Sequence, residues 1–152
     1  MVCVIKPIVT PELRDCGATC LKMLLDYYGK GEDVSLKELI KECQTDIVGC
    51  TGSSLLRAGR NHGLEMYAWG EIKPGQEVSP NKLAIDVPIL EQDRPSIIWW
   101  RYNHWCICCG KDEDGKVVVI NPDRGRYRMS ESTFKSWYTD ISITNGIPER
   151  QA

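Results

Sequence analysis

The order in which the chain changes from helical to strand-like sequence is the strongest constraint on its fold. Apolar residues with helical spacing are confined to residues 16–62, beginning with the segment from Cys16 to Tyr28. From Pro95 onward, short runs rich in β-branched and aromatic residues alternate with turn residues. Helices followed by a run of strands are typical of α+β proteins and not of doubly wound sheets. We therefore expect N-terminal helices packed on an antiparallel β-sheet.

Capping and turn residues place the individual elements. Asp15, Ser35 and Thr51 stand at N-cap positions before three helices, and Glu38 completes a capping box with Ser35. The third helix is expected over 53–62, and a short fourth helix around 134–137 follows Ser130. The expected strands are 64–69, 96–100, 104–110, 116–120 and 141–144, with the last one closing the sheet. Residues 112–115 predict a hairpin turn, 121–125 a further turn and 70–82 a loop, whereas 83–90 is ambiguous and can include a short helix.

Length and charge limit the classes of protein to which the chain can belong. Its 152 residues, 42% of them hydrophobic, suit one folded domain spanning 1–152. A net charge of −2 argues against a nucleic-acid-binding protein. No apolar run approaches the length of a transmembrane helix, and the N-terminal sequence is not that of a secretory signal. We therefore expect a cytoplasmic chain with no transmembrane segment and no nucleic-acid partner.

Eight cysteines need an explanation. A secreted disulfide scaffold is one interpretation, but the chain is long enough to build a core without cross-links and has no export signal. A structural zinc site is a second, although the run Cys106, Cys108 and Cys109 has no matching Cys-x-x-Cys or His pair. We favour a third, a reduced chain with mostly buried, inert thiols and one reactive cysteine, and we expect no metal.

Cys16 differs from the other cysteines in its position. It lies in the first turn of a predicted helix, where unpaired N–H groups and the helix dipole favour the thiolate and lower the pKa from about 8.5. Gly17 follows and lacks a side chain, so a substrate backbone could approach closely. This placement fits a nucleophile, and it fits equally a small apolar residue at a helix start.

A nucleophilic thiol needs a base, and the chain has two histidines. His62 ends a helix, where a solvated imidazole is the ordinary interpretation. His104 opens an apolar strand, and Asn121 follows the next strand 17 residues later. If the two strands form a hairpin, Asn121 comes near His104 and can orient the imidazole. Cys on a helix start, His on a strand and Asn at the end of its neighbour is the papain-type layout.

Longer stretches of sequence carry a specific resemblance. Residues 7–30, PIVTPELRDCGATCLKMLLDYYGK, resemble the opening of the double-glycine leader peptidases, with Asp15-Cys16-Gly17-Ala18 followed by Leu21, Met23 and Tyr27-Tyr28-Gly29 in register. The similarity continues through Val34–Leu39, Gly52-Ser53, Gly63-Leu64, Pro95–Ile98, Trp100–His104 and Asn121-Pro122. It covers residues 7–144. These peptidases are papain-like domains that usually form the cytoplasmic N-terminus of bacteriocin-exporting ABC transporters.

The resemblance implies roles for individual residues. Cys16 would be the nucleophile, His104 the base, and Asn121 would stand where the family usually has Asp. The family has a glutamine six residues before the cysteine whose amide helps to hold the oxyanion, and this chain has Thr10 there. The oxyanion hole would then consist of the backbone N–H of Cys16 with Thr10 or Asn103 as further donors.

The resemblance also implies a substrate. It would be a precursor peptide whose helical leader docks on the domain and whose Gly-Gly or Gly-Ala pair enters a narrow channel to the thiol, with no cofactor required. Gly17, Trp100, Tyr102 and Trp105 are candidate substrate-binding residues, with core packing as the alternative for the tryptophans. An ABC exporter, in the same chain or a separate one, would be a partner. Two other interpretations stay open: a non-catalytic domain that binds a leader or partner, and an acyl or peptidyl transferase.

Overall fold

The helices lie mostly before the strands, as the sequence predicts. A computed structural model describes residues 4–10, 12–46, 49–70, 83–84 and 87–151. The α-helices are α1 (Cys16–Tyr27), α2 (Leu36–Glu42), α3 (Gly52–Asn61) and α4 (Glu131–Trp137). The strands are β1 (Met66–Gly70), β2 (Leu83–Ala84), β3 (Ser96–Trp100), β4 (His104–Lys111), β5 (Val117–Asn121), β6 (Gly125–Met129) and β7 (Tyr138–Asn145). Short 3-10 helices cover Leu13–Asp15 and Ile89–Glu91.

All described strands belong to one sheet, in the order β2-β1-β7-β3-β4-β5-β6. Every neighbouring pair is antiparallel except β1 and β2, which are parallel. The α+β prediction is confirmed. The expectation that the last strand closes the sheet is wrong, because β7 lies between β1 and β3 and joins the two parts of the sheet.

The two faces of the sheet hold two apolar clusters. The larger one packs α1, α2 and α3 against one face and includes Trp105, Ile107 and Cys109 of β4. The smaller one packs α4 against the other face and includes Cys106 and Cys108 of the same strand. Strand alternation therefore divides the cysteine run between the faces, as a period of two residues requires. Among the described residues, six cysteines have free thiols, whereas Cys109 is disulfide-bonded, so the expectation of a fully reduced chain is wrong at that residue.

The helix caps follow the sequence with one exception. Ser35 and Glu38 form the predicted capping box, and the side chains of Thr51 and Ser130 accept backbone N–H groups of α3 and α4. Asp15 precedes α1 but makes no side-chain cap hydrogen bond. The 3-10 turn before it runs directly into α1, so that Asp15 has φ −89° and ψ 3° instead of the extended backbone that a capping side chain needs.

Other boundaries differ by a few residues. The hairpin turn between β4 and β5 forms as predicted, with Asp112 Oδ1 accepting the N–H groups of Asp114 and Lys116. The segment 83–90 contains both β2 and a short helix, and 71–82, most of the expected loop, lies outside the described residues. β6 is not among the predicted strands, and only its first residue, Gly125, lies in the predicted turn 121–125. Among the described residues, no helix is long and apolar enough to cross a membrane.

Candidate active site

The start of α1 holds Cys16 against the start of β4. The sulfur atom accepts a hydrogen bond from the backbone N–H of Trp105 at 3.4 Å, and the residue is 5% exposed. Trp105 directly follows His104 in β4, so this bond brings the thiol beside the strand that carries the imidazole. The helix–strand contact thus joins two residues 89 positions apart in the chain.

Burial has a larger effect on the pKa of the Cys16 thiol than the position at the start of α1 does. It raises the pKa of Cys16 above the ordinary value, while hydrogen bonds from the backbone N–H groups of Trp105, Gly17 and Cys16 act in the opposite direction. The expectation of a lowered pKa is therefore wrong in direction. The thiol form of Cys16 is therefore favoured, and a base would be needed to convert it into a nucleophile.

His104 and Asn121 form the predicted pair. His104 Nε2 lies 2.6 Å from Asn121 Oδ1, and both side chains are buried. The same Oδ1 accepts the backbone N–H of Asp123 at 2.9 Å. Because this oxygen is already an acceptor, the imidazole must donate through Nε2–H, which leaves the lone pair on Nδ1. The Asn121 amide therefore fixes the tautomer in which Nδ1 is the basic atom.

The two further oxyanion candidates lie in different environments. Thr10 is buried, and its backbone N–H donates to the carbonyl of Pro122 at 2.8 Å, next to Asn121. Asn103 is exposed at the turn between β3 and β4 and lines a cavity together with His104. The side chain of Asn103 is thus in open space beside the imidazole, whereas that of Thr10 is enclosed.

The candidate substrate-binding residues do not share one surface. Trp105 is buried, with its indole N–H bonded to the carbonyl of Cys50 at 3.2 Å. Trp100 is buried against Phe134 and Trp137 on the opposite face of the sheet. Tyr102 is 79% exposed at the tip of the β3–β4 turn. Trp105 is a core residue here, whereas Trp100 is buried but also lines the cavity beside His104. Tyr102 is the most exposed of the three aromatic candidates.

Gly17 has a packing role that the sequence did not reveal. A Cβ atom at this position would lie 2.3 Å from Cys50 Sγ and 3.0 Å from Trp105 Cδ1. The space beside Gly17 is therefore filled by protein atoms. No sequence signal could have found Cys50, because its contact with Gly17 depends on how the segment before α3 folds back.

A cavity of about 440 Å³ opens beside His104. Its walls include Arg101, Asn103, His104, Asn121, Arg124 and Tyr127. Arg101 has a φ of 54° and stacks its guanidinium over Trp137 at 4.8 Å. The hydroxyl of Tyr127 hydrogen-bonds Asn121, which links this wall to the amide that orients His104. Cys16 does not line the cavity, which therefore lies on the histidine side of the site.

The remaining histidine is remote from this chemistry. His62 Nε2 lies 2.6 Å from Glu42 Oε2 in a partly exposed pair between the ends of α3 and α2. Within the described parts of the chain, no three His, Cys, Asp or Glu side chains are arranged to hold a metal ion.

Comparisons with known proteins identify the family to which the chain belongs. The Peptidase C39 family matches residues 5–146. The chain is 27% identical over 131 residues to the lacticin-481/lactococcin-DR transport/processing ATP-binding protein of Lactococcus lactis subsp. lactis, covering 86% of this chain and 17% of that protein. It is 23% identical over 138 residues to the lactococcin-G-processing and transport ATP-binding protein of the same organism, covering 91% and 18%. The chain thus spans less than a fifth of the length of these curated relatives.

Solved structures show the same fold. A double glycine motif protease from an AMS/PCAT transporter, in complex with its leader peptide, superposes with a TM-score of 0.76 at 24% identity, covering 99% of this chain and 94% of that one. The peptidase domain of Streptococcus ComA superposes with a TM-score of 0.71 at 21% identity, covering 97% and 99%. With the family match over nearly the whole sequence, these likenesses lead to one conclusion: the chain belongs to the Peptidase C39 family.

Proposed function

We propose that the chain is a cysteine endopeptidase that removes the leader from a ribosomally made precursor peptide after a Gly-Gly or Gly-Ala pair. The observation that carries this proposal is the hydrogen-bonded pair of His104 and Asn121 on the strand hairpin beside the Cys16 thiol. Family membership and the fold shared with a double glycine motif protease support the substrate class. No cofactor enters the proposed reaction.

The proposed reaction has two stages. Nδ1 of His104 takes the proton of Cys16, and the sulfur attacks the carbonyl carbon before the scissile bond. The imidazolium gives the proton to the leaving amine, the C–N bond breaks, and the leader remains bound to Cys16 as a thioester. Water, activated by the same Nδ1, then attacks the thioester and releases the leader with a free carboxylate.

Stabilisation of the oxyanion is where this chain departs from its family. The backbone N–H of Cys16, which already points toward the active-site sulfur, is the first proposed donor. Removal of one side-chain donor from such a hole costs on the order of a hundredfold in rate. Asn103 is the preferred second donor because its side chain is exposed next to His104, whereas Thr10 is short and enclosed.

The cavity on the histidine side suits the segment that leaves. The leaving amine must lie near the imidazole that protonates it, while the acyl part stays on the sulfur. The residues after the scissile bond would therefore extend from His104 into the space walled by Arg101 and Tyr127. Tyr102, exposed at the edge of the same turn, is a further proposed contact.

Two observations favour a second candidate function. Thr10 replaces the glutamine, and burial raises the pKa of Cys16, so a domain that binds a leader without cutting it is the main alternative. A transferase would form the same thioester and resolve it with an amine.

We place the reaction in the cytoplasm, with an ABC exporter as the proposed partner in the same or a separate chain.

Mass spectrometry of the purified chain with synthetic precursors tests the proposal. Each precursor carries a leader, a Gly-Gly pair and a short cargo, and a matched set replaces Gly-Gly by Leu-Leu. We expect cleavage after the second glycine only. Cys16→Ala and His104→Ala should each lower the rate by about a thousandfold or more, because the two groups act as one unit.

His62→Ala is the matched control, since His62 bonds only Glu42 at a distance from the sulfur, and it should cleave at nearly the wild-type rate. Leader binding without cleavage by the wild type would support the non-catalytic alternative. A product carrying an added amine in place of water would support the transferase.

A further inference from the structure

A second pair of reactive groups lies behind the nucleophile. Cys43 follows α2 as its C-cap residue, and Cys50 directly precedes Thr51, the N-cap of α3. Between them Asp46 and Gly49 exchange two backbone hydrogen bonds of 3.1 and 3.2 Å, so the chain doubles back. The bridge between Asp46 and Gly49 places the two cysteines on neighbouring stretches of chain, where their thiol groups are hydrogen-bonded to each other.

The two thiols are not equivalent. Cys50 donates and Cys43 accepts, and this hydrogen bond holds the pKa of Cys43 below its ordinary value despite burial. The same bond, together with burial, raises the pKa of Cys50. Cys43 is fully buried, whereas Cys50 is partly exposed. The pair therefore combines a buried thiol of lowered pKa with a partly exposed neighbour, so that a small oxidant can reach it from the side of Cys50.

Cys50 also contacts the residues that hold the nucleophile. Its sulfur fills the space beside Gly17, and its carbonyl oxygen accepts the indole N–H of Trp105. The backbone N–H of Trp105 in turn donates to Cys16 Sγ. A displacement of Cys50 would thus act on both Gly17 and Trp105, which lie beside the Cys16 side chain.

We propose that Cys43 and Cys50 form an oxidation site, which a hydroperoxide converts to an intramolecular disulfide, and that this reaction shifts the packing of Gly17 and Trp105 around Cys16. The thiolate of one cysteine attacks a peroxide oxygen, the O–O bond breaks, and a sulfenic acid and hydroxide form. The second sulfur then attacks the first, the S–O bond breaks, and water leaves. Overall, two thiols lose two electrons and two protons, and hydrogen peroxide becomes two molecules of water.

The disulfide requires Cys50 to move. Two sulfur atoms joined by a covalent bond lie closer than two hydrogen-bonded ones, and Cys43 is fixed at the end of α2 in the core. Cys50 is therefore the partner that shifts, toward Cys43. That movement opens space beside Gly17 and strains the hydrogen bond from Trp105 to the Cys50 carbonyl.

The test uses Cys16→Ala protein, in which the nucleophile cannot react. The protein is treated with hydrogen peroxide, the remaining thiols are alkylated under denaturing conditions, and non-reducing peptide mapping locates cross-links. We expect a Cys43–Cys50 link that dithiothreitol reverses, with a reversible change in tryptophan fluorescence because Trp105 contacts Cys50. Neither readout needs a substrate, so the result is independent of the proposed peptidase activity.

Cys43→Ala and Cys50→Ala in the same background should each abolish the link and the fluorescence change. Cys20→Ala is the matched control, because Cys20 is another buried thiol near Cys16, and it should leave both signals intact. Cys43 and Cys50 that remain alkylatable after peroxide, or Cys50 joined to a different cysteine, would overturn the proposal. The non-reducing peptide map of the Cys16→Ala protein tests the proposal by itself, even if the Cys43→Ala or Cys50→Ala variant in this background does not fold.

Discussion

At the scale of single residues, the neutral partner of the imidazole distinguishes this site. Asn121 Oδ1 accepts from both His104 Nε2–H and the N–H of Asp123. A neutral amide fixes the tautomer but gives no charge stabilisation to an imidazolium. The pKa of the Cys16 thiol is raised as well, with burial as the largest cause.

The replacement of Asn121 by Asp should change the pH dependence of the nucleophile. A carboxylate can accept the same hydrogen bonds and adds a negative charge that stabilises a positively charged imidazole, so transfer of the Cys16 proton to it becomes easier and the pKa of Cys16 should fall. We expect iodoacetamide to alkylate Cys16 of the Asn121→Asp variant at a lower pH than Cys16 of the wild type. Rate–pH profiles of labelling measure this, with His62→Ala as a control that should not shift the profile.

Thr10 allows a prediction about the oxyanion hole. The position is buried and its backbone is bonded to Pro122, so a glutamine side chain would need space that the structure fills. We expect Thr10→Gln to lower the cleavage rate, Thr10→Ala to change it little, and Asn103→Ala to lower it about a hundredfold, equivalent to about 2.7 kcal/mol. A large gain in rate for Thr10→Gln would contradict the role of Asn103.

At the scale of elements, the contact between α1 and the segment before α3 is the tightest one at the site. The Cβ of Gly17→Ala would meet Cys50 Sγ at 2.3 Å, whereas that of Gly52→Ala, in the first turn of α3, would have its nearest neighbour at 3.6 Å. We expect Gly17→Ala to destabilise the fold by about 1–3 kcal/mol through overpacking and Gly52→Ala to be nearly neutral.

Denaturant unfolding of these two alanine variants measures the difference. The double variant Gly17→Ala, Cys50→Ala should recover part of the lost stability, because it removes the sulfur but leaves Trp105 at 3.0 Å. Additive losses in the double variant would show that Cys50 is not the obstacle.

How much of the fold was predictable depends on how local each signal is. The caps at Ser35, Thr51 and Ser130 were predictable because each bond joins residues three positions apart. The pairing of His104 with Asn121 followed from one hairpin. β6 was missed because its residues Gly125–Met129 form an edge strand with exposed arginines and little apolar pattern. The position of β7 depends on tertiary packing, which local periodicity does not encode.

At the scale of the whole molecule, the buried thiols make stability depend on pH. Burial raises the pKa of Cys108 to about 11 from an ordinary value of 9.0, and it raises the pKa of Cys20 and Cys106 as well. As pH rises, the unfolded chain loses these thiol protons before the folded protein does. Between the pKa of the unfolded chain and that of the folded protein, the folded protein therefore holds more protons. Its stability falls as pH rises through this range.

The stabilising effect of the neutral Cys108 thiol should be fully present below about pH 9 and lost as pH rises through 11. We expect the midpoint of thermal unfolding, followed by circular dichroism, to drop by several degrees between pH 8 and pH 11. Cys108→Ala should show a shallower decline. An equally steep decline in that variant would mean that other groups cause the loss.

The central place of β7 has a consequence for synthesis on the ribosome. Strands β1 and β3 to β6 are made earlier, yet among the described strands β1 is connected to β3–β6 by hydrogen bonds only through β7. The sheet therefore stays in two pieces until residues 138–145 have left the exit tunnel. Until then the nascent polypeptide carries unpaired strand edges, which expose it to aggregation during synthesis.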